Sequence, residues 1–217
     1  MNVERILAIE TSGELCSVAL SLGTNKFDER NIQLKHIHSE KLIPMIDDIL
    51  SSNNISTKQL DTVAVSVGPG SFTGLRIGMT AAKGIAFASK LPIVPVPTFN
   101  ALSQEIGMYL AKNTKFCILN NANVDECYFA KFEKDEDRIY SVIETKLVEK
   151  SKINEFIDSS DLLFGNIPAI KNIRNVSSPR AISIVKWVYL FGQDLLTFDY
   201  DYLEPDYLKT FKVRQNK

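Results

Sequence analysis

The sequence has few of the residues that mark disulfide-rich, metal-binding or redox proteins. Its 217 residues include three cysteines, Cys16, Cys117 and Cys127, and no two of them have the CxxC spacing of zinc and redox sites. An odd number of cysteines in apolar runs is typical of reduced core residues in a cytosolic protein. We therefore expect neither a disulfide nor a structural metal to be needed for folding.

Long apolar runs and an excess of one charge are also missing. No apolar run approaches the roughly 20 residues that cross a bilayer, and the first residues lack a basic leader with an apolar core. Lysine and arginine total 25 against 26 acidic residues, a net charge of -1, so the composition gives no global case for wrapping nucleic acid. These absences predict a cytoplasmic protein with no membrane contact.

The most specific stretch that is present runs from residue 66 to residue 78, with the sequence SVGPGSFTGLRIG. An apolar, β-branched run precedes it, and Gly68-Pro69-Gly70 predicts a sharp turn into a helix that Ser71 or Thr73 could cap. A glycine-rich turn at a helix start could receive phosphate on unpaired N–H groups. The alternative is a turn that simply packs well, because the stretch is neither GxGxxG nor a Walker loop with its lysine.

The first two strands suggest a second phosphate-binding element. Arg5–Ile9 predicts a short buried strand, and a hydroxyl-rich turn joins it to an antiparallel partner over residues 15–22. Actin-like ATPases grip phosphate with such a hairpin, and Glu10 stands where their acidic residue would be; the alternative is a polar hairpin tip. The weak candidate nucleotide-binding set is therefore Glu10, Thr11, Ser12, Gly68, Gly70 and Ser71.

Two predicted helices carry faces that could contact a partner. The first opens at His38 and has apolar residues at helical spacing through Leu50. The second, Thr73 to Ser89, carries small residues at strict four-residue steps, which either dock it on its own sheet or present a flat face to another helix. The predicted interface residues are His38, Leu42, Met45, Ile46, Ile49, Gly74, Arg76, Gly78, Met79, Ala82 and Lys83.

The chain divides into two similar halves. Residues 1–97 predict three antiparallel strands followed by alternating helix and strand, and residues 98–217 repeat that pattern in abbreviated form. The second half opens with a helix over residues 100–112 and contains a weak helix near residues 153–159 and a firm one over residues 181–191. Its basic end, with Lys212, Arg214 and Lys217, reads as a solvated terminus or as a nucleic-acid contact. The fold class is α/β, with two βββαβα-type halves.

Three motifs together resemble the bacterial TsaB (YeaZ) proteins. They are IETS at residues 9–12 with CSVAL at 16–20, HSEKLIP at 38–44, and GPGSFTGLRIG at 68–78. The resemblance implies a duplicated actin-like (ASKHA, RNase H-like) fold and a role in making threonylcarbamoyladenosine beside the anticodon of tRNAs that read codons beginning with A. It implies TsaD and TsaE as partners, a homodimer when the chain is alone, tRNA contact through the complex, and ATP or ADP at the complex interface.

The same resemblance implies that this chain is not itself the catalyst. TsaD, the paralogue, holds its metal with two histidines four residues apart, and a rough placement puts Phe99 and Ser103 at those positions. His36 and His38 have no further ligands at metal-binding spacing. We therefore expect no catalytic residues and no metal, although a stand-alone actin-like ATPase or phosphotransferase is the alternative. A metalloprotease is disfavoured because HExxH is absent.

Two residues depart from the usual TsaB pattern. Glu10 replaces the more common aspartate, which puts any phosphate site in doubt. Asn121-Ala122-Asn123 stands where Asp-Ala-Arg is usual, which we expect to alter contacts between the two halves.

Overall fold

The computed structural model describes residues 3–34, 36–136 and 138–208, and forms two β-sheets with helices around and between them. The predicted basic end at Lys212, Arg214 and Lys217 lies outside the described residues. Within them no helix is both long and apolar enough to span a membrane.

The first sheet contains five strands in the order β3-β2-β1-β4-β5. The antiparallel meander β1 (Arg5–Glu10), β2 (Leu15–Leu22) and β3 (Phe27–Gln33) is extended by β4 (Thr62–Gly68) and β5 (Ile93–Pro97), which run parallel to β1. Strands β1 and β4 are buried on both faces, which explains their nearly continuous apolar sequences.

The second sheet repeats this order with one strand fewer, as β8-β7-β6-β9. Its meander is β6 (Thr114–Asn121), β7 (Glu126–Asp135) and β8 (Arg138–Glu149), and β9 (Leu162–Gly165) runs parallel to β6. The repeated order confirms the expected duplicated α/β fold with an abbreviated second half.

Helices α1 (His38–Ser52) and α2 (Phe72–Ser89) cover one face of the first sheet. Their inward apolar side chains, such as Leu42, Ile49 and Met79, share a core with Leu7 of β1 and its neighbours. The apolar face that the spacing of α1 predicts therefore packs on the chain's own first sheet.

Helix α3 (Thr98–Gly107) contacts strands of both sheets, and helix α4 (Ala181–Trp187) packs on the first sheet and on α3. Ala101 of α3 joins the core on the second face of the first sheet, together with Ile184 of α4, whereas Phe99 and Leu102 join the core of the second sheet. The chain after α4 then returns along the first sheet, where Thr197 bridges Ile93.

Three predicted helices have different limits in the structure. The helix expected over residues 100–112 begins at Thr98 and ends at Gly107, and the weak helix near residues 153–159 is a 3-10 helix at Lys150–Glu155. The helix expected over residues 181–191 is α-helical to Trp187 and continues as a π-helical turn, Val188–Gly192. The division into domains at residues 97 and 98 stays a prediction, and α4 packs on the first sheet.

Candidate functional site

A cleft of about 830 Å³ lies between the two halves. The first half contributes the β1–β2 turn, the start of α1 and the start of α2, and the second half contributes the ends of β6 and β9. Its lining includes Ser12, Gly13, Glu14, His36, His38, Ser39, Gly70, Ser71, Phe72, Thr73, Gly74, Ile77, Asn120, Asn121, Ala122, Tyr128, Asn166, Ser177 and Tyr207. The cleft is where a small ligand would meet both halves of the fold.

The glycine turn before α2 is packed tightly against other parts of the chain. Gly68 has a φ of +122°, and a Cβ there would overlap the carbonyl oxygen of Asp206. A Cβ on Gly70 would lie 2.5 Å from the carbonyl oxygen of Ser12, and the Ser71 N–H donates to that same oxygen at 2.7 Å. These glycines therefore allow close packing of the turn onto the β1–β2 turn and the C-terminal segment.

The start of α2 is the part of the junction that faces the cleft. The Ser71 hydroxyl caps the helix by accepting from the Gly74 N–H at 3.3 Å. The N–H groups of Phe72 and Thr73 have no hydrogen-bond partner among the described residues, and both residues line the cleft. Unpaired N–H groups and the positive end of the helix dipole favour an anion here.

Glu10 is enclosed in the protein and does not line the cleft. Its side chain is completely buried and accepts hydrogen bonds from the Ser12 N–H at 2.6 Å, the Ser12 hydroxyl at 2.5 Å and the Ser66 hydroxyl. Burial raises the pKa of Glu10 to about 7, against the lowering effect of these donors. In this arrangement the carboxyl group stabilises the end of β1 and is not presented to a phosphate or a metal.

The other residues of the expected nucleotide set are divided between core and cleft. The Thr11 hydroxyl donates to the Gly74 carbonyl at 2.8 Å, and Gly68 is held by the Thr98 hydroxyl at 3.1 Å, so both stabilise the junction. Ser12, Gly70 and Ser71 line the cleft. Nucleotide binding by the set stays a prediction.

Asn120 is a cleft residue that the sequence analysis missed. It is the last buried residue of β6, 7% exposed, and its side-chain N–H donates to the Ser177 carbonyl at 2.5 Å. Its side-chain oxygen, Oδ1, is buried without a hydrogen-bond partner among the described residues. Two asparagines follow an apolar strand in the sequence, which could have indicated a polar site at the strand end. The sequence analysis singled out Asn121 and not Asn120.

The stripe of small residues on α2 faces the chain's own sheet. Gly74, Gly78, Ala82 and Ala86 are all buried, and a Cβ on Gly74 or Gly78 would overlap Thr11. Of the two alternatives for this stripe, the structure shows docking on the chain's own sheet, because Thr11 and Ile9 occupy the space in front of Gly74 and Gly78. Contact of the stripe with a partner stays a prediction.

Most of the expected interface residues lie in the same interior. His38, Leu42, Met45, Ile46, Ile49, Gly74, Gly78, Met79 and Ala82 are buried within the chain, whereas Arg76 is exposed and Lys83 is half-buried. The Arg76 guanidinium lies 4.3 Å from the centre of the Phe72 ring and donates to the Tyr207 hydroxyl at 3.2 Å. Arg76 and Lys83 are therefore the members of the set with solvent-accessible side chains, and contact of the set with a partner stays a prediction.

The outer face of α1 and α2 carries different residues, including a second apolar and small-residue pattern. Ile43 and Phe87 are largely exposed, and Ile77, Ala81 and Ile85 recur at four-residue steps, partly exposed and partly packed against the core of the first sheet. Gly84 lies on this exposed face, and a Cβ there would meet none of the described residues beyond its own stretch of helix within 4 Å. We define this outer face by Ile43, Ile77, Thr80, Ala81, Gly84, Ile85 and Phe87.

The positions expected to lack metal ligands are part of the core. Phe99 and Ser103 lie on one face of α3, both buried, and the Ser103 hydroxyl donates to the Asn100 carbonyl at 2.8 Å. His38 lies with its ring nitrogen Nε2 3.3 Å from the Leu15 carbonyl. Over the described ranges there is no group of three or more His, Cys, Asp or Glu side chains that could hold a metal ion.

Known proteins that match this chain in sequence are named for threonylcarbamoyl modification of tRNA. The family described as "TsaD: tRNA N6-adenosine threonylcarbamoyltransferase" matches residues 33–180. The chain is 36% identical over 134 residues to the tRNA threonylcarbamoyladenosine biosynthesis protein TsaB of Haemophilus influenzae, an alignment that covers 61% of this chain and 56% of that protein. It is 30% identical to TsaB of Buchnera aphidicola subsp. Acyrthosiphon pisum over 198 residues, covering 85% of this chain and 88% of the relative.

A solved structure, YeaZ from Pseudomonas aeruginosa, has the same fold. It superposes with a TM-score of 0.77 at 22% identity and covers 94% of this chain and 100% of that chain. The fold is therefore of the actin-like ASKHA type, as the sequence motifs predicted.

Proposed function

Because the chain belongs to the bacterial TsaB (YeaZ) family, we propose that it is an accessory subunit for threonylcarbamoyladenosine formation in tRNAs that read codons beginning with A. In this proposal it has no catalytic residue of its own, and it binds and activates TsaD, with TsaE joining the pair. It acts in the cytoplasm, meets tRNA through the complex, and forms a homodimer when alone. The observation that carries the proposal is the family membership itself.

The burial of Glu10 supports a non-catalytic role. A carboxylate that positions a metal or an attacking water must reach the ligand, but Glu10 is fully enclosed by Ser12 and Ser66. The described cleft lining also contains no lysine or arginine, and the neighbouring Arg76 guanidinium is held by the Phe72 ring and the Tyr207 hydroxyl. A stand-alone ATPase would need an accessible carboxylate and positively charged side chains that contact the phosphates.

The outer face of α1 and α2 is our proposed contact surface for TsaD and for a second copy of the chain. Glycine inside a helix costs about 1 kcal/mol relative to alanine. Gly84 bears this cost although, outside its own stretch of helix, none of the described residues has an atom within 4 Å of a Cβ there. A helix that approaches closely from outside would explain a glycine at this position, and exposed Ile43 and Phe87 would supply apolar contact area.

Replacement of Gly84 by lysine tests this surface. We expect Gly84→Lys to abolish co-purification with TsaD and to lower threonylcarbamoyladenosine in tRNA, measured by mass spectrometry of nucleosides, because a long charged side chain keeps the helices apart. Val124→Lys is the matched control, since Val124 is 88% exposed on the β6–β7 turn of the other half. Unchanged TsaD binding by Gly84→Lys would overturn the proposed surface.

A second experiment separates the accessory role from an ATPase. Calorimetry of the isolated chain with ATP and magnesium should show neither stoichiometric tight binding nor turnover, while deletion of the gene should remove the modified nucleoside. Tight binding with turnover by the chain alone would contradict the accessory role and favour a phosphotransferase.

A further inference from the structure

The last described residues, 200–208, run along the first half and end against the second half. They contain no helix or strand, so their position depends on individual contacts. At their start the Tyr200 hydroxyl donates to the Leu91 carbonyl at 2.6 Å, and Leu203 packs against the core beneath α1 and α2. We call residues 200–208 the strap.

Backbone and side-chain contacts hold the end of the strap on the first half. The Asp206 N–H donates to the Val67 carbonyl at 2.7 Å, near the end of β4. The centre of the Tyr207 ring lies 4.8 Å from that of the Phe72 ring, and the Tyr207 hydroxyl accepts from the Arg76 guanidinium at 3.2 Å. The strap is therefore bonded both to β4 and to the start of α2.

The same end of the strap also contacts the second half. The Tyr128 hydroxyl of β7 donates to the Tyr207 carbonyl at 3.2 Å. Leu208 packs against the core of the second sheet, which contains Phe116 of β6. The Leu208 N–H donates to the Asp206 carboxylate at 3.0 Å, which connects the residue bonded to the first half with the residue packed on the second. Residues 206–208 therefore join the two halves.

Tyr207 is also part of the wall of the cleft. It lines the cleft together with residues of both halves, such as Ser12 and Asn166. Because one segment is bonded to both halves beside the cleft, it resists their separation there. Its contacts lie near the surface, since Asp206 is exposed and Tyr207 is half-buried. A segment held by surface hydrogen bonds can open while the buried cores stay folded.

We propose that the strap holds the two halves closed on the cleft, and that its end, residues 206–208, releases as one unit to open the cleft. Release of the strap widens the entrance for a ligand, so the strap controls access to the cleft. This device goes beyond the accessory role proposed above, because it depends only on contacts within the chain.

Hydrogen exchange of the Asp206 amide, measured by NMR on the full chain, tests whether the strap end releases as a unit. Tyr128→Phe removes the hydroxyl on the second half and leaves the ring in its core. If residues 206–208 move together, exchange of the Asp206 amide on the first half should become about fivefold faster, the effect of one neutral hydrogen bond. Tyr140→Phe is the matched control, because Tyr140 is 47% exposed on β8 of the same half.

The width of the cleft is the second measurement. Spin labels at Glu40→Cys in α1 and Val124→Cys on the β6–β7 turn report the distance between the halves by double electron–electron resonance. Both positions are exposed, and the native cysteines are buried. Tyr207→Ala removes the ring that packs on Phe72, and we expect it to add a population with a longer distance, with unchanged circular dichroism.

The outcomes are distinct. Faster Asp206 exchange in Tyr128→Phe but not in Tyr140→Phe, with longer distances in Tyr207→Ala, supports the strap. Unchanged exchange in Tyr128→Phe, or equal acceleration in Tyr140→Phe, overturns release as a unit. An unchanged distance distribution in Tyr207→Ala overturns control of the cleft. Because both measurements use the isolated chain, their results are independent of the TsaD co-purification that tests the accessory role.

Discussion

The last buried residue in the first strand of each half is polar, and these two matching residues differ in type and in hydrogen bonding. Glu10 is the last buried residue of β1 and has three hydrogen-bond donors, whereas Asn120 is the last buried residue of β6 and keeps one oxygen unpaired. The register agrees with this match, because Ile9 pairs with Val65 and Leu119 pairs with Gly165 just before them. The polar group at the strand end of the first half is thus satisfied by donors of the chain, whereas the second half keeps a buried oxygen without a partner among the described residues.

The largest expected effect concerns the glycines that end the parallel strands. Gly68 ends β4 with a φ of +122°, and Gly165 ends β9 with a φ of +140°. A Cβ on Gly165 would overlap the backbone of Leu119 in the centre of the second sheet, whereas one on Gly68 would overlap Asp206 in the C-terminal segment. We expect Gly165→Ala to cost about 4 kcal/mol of unfolding free energy and Gly68→Ala about 2 kcal/mol, because a segment near the chain end can shift.

Urea unfolding of both variants measures this difference. Equal losses would mean that the C-terminal segment is held as firmly as a central strand. A larger loss for Gly68→Ala would reverse the order of the two halves and would make the glycine turn before α2 the more rigid of the two.

The next effect is the pH dependence of the buried acid. Burial raises the pKa of Glu10 from 4.5 to about 7 in the folded chain, so the folded state favours the protonated form. Its contribution to stability is fully present below pH 4.5 and is lost as the pH rises through 7, a change of about 3 kcal/mol. Glu10→Gln should therefore remove most of this loss, measured as unfolding free energies at about pH 5 and about pH 8.

The matching position offers a control for this pH effect. Asn120→Asp would create a second buried carboxyl group beside the Ser177 carbonyl, which accepts a hydrogen bond but cannot donate one. This variant should gain a pH dependence of the same sign as that of Glu10. A wild-type stability that does not fall between these pH values would show that Glu10 is ionised in the folded chain.

Much of the fold could be predicted from local sequence patterns. Continuous apolar runs identified β1 and β4, and the repeat of the three-strand meander identified the duplication. Residues 181–191 were harder, because their apolar sequence predicts a helix but not the change to π-helical geometry after Trp187 or the return of α4 to the first sheet. That return depends on contacts with residues far away in the chain.

The candidate site was predicted less well because polarity alone does not say which way a group faces. Glu10, Thr11 and Gly68 have the residue types of a phosphate site, but their hydrogen bonds and contacts are made within the chain. The small residues of α2 were compatible with packing on the chain's own sheet or on another helix. In the structure the backbone and side chain of Thr11 lie against Gly74 and Gly78. Gly84 does not continue the four-residue spacing of Gly74 and Gly78, so no sequence pattern singled it out. Its open surroundings are seen only in the structure.

The smallest expected effect compares the neighbours of the two strand ends, Ser66 and Asn166. The Ser66 hydroxyl donates to the buried Glu10 carboxyl group, whereas the exposed Asn166 side chain accepts from the Asn121 N–H at 2.7 Å. We expect Ser66→Ala to cost about 2 kcal/mol at neutral pH, because it removes a donor from a buried carboxylate, and Asn166→Ala about 0.5 kcal/mol, because water can replace an exposed partner. Ser66→Ala should also raise the pKa of Glu10 further, so its cost should shrink at about pH 5, where the carboxyl group is neutral. Chemical denaturation at both pH values measures this, and an equal cost at both would mean that Ser66 contributes packing and not a hydrogen bond to a charge.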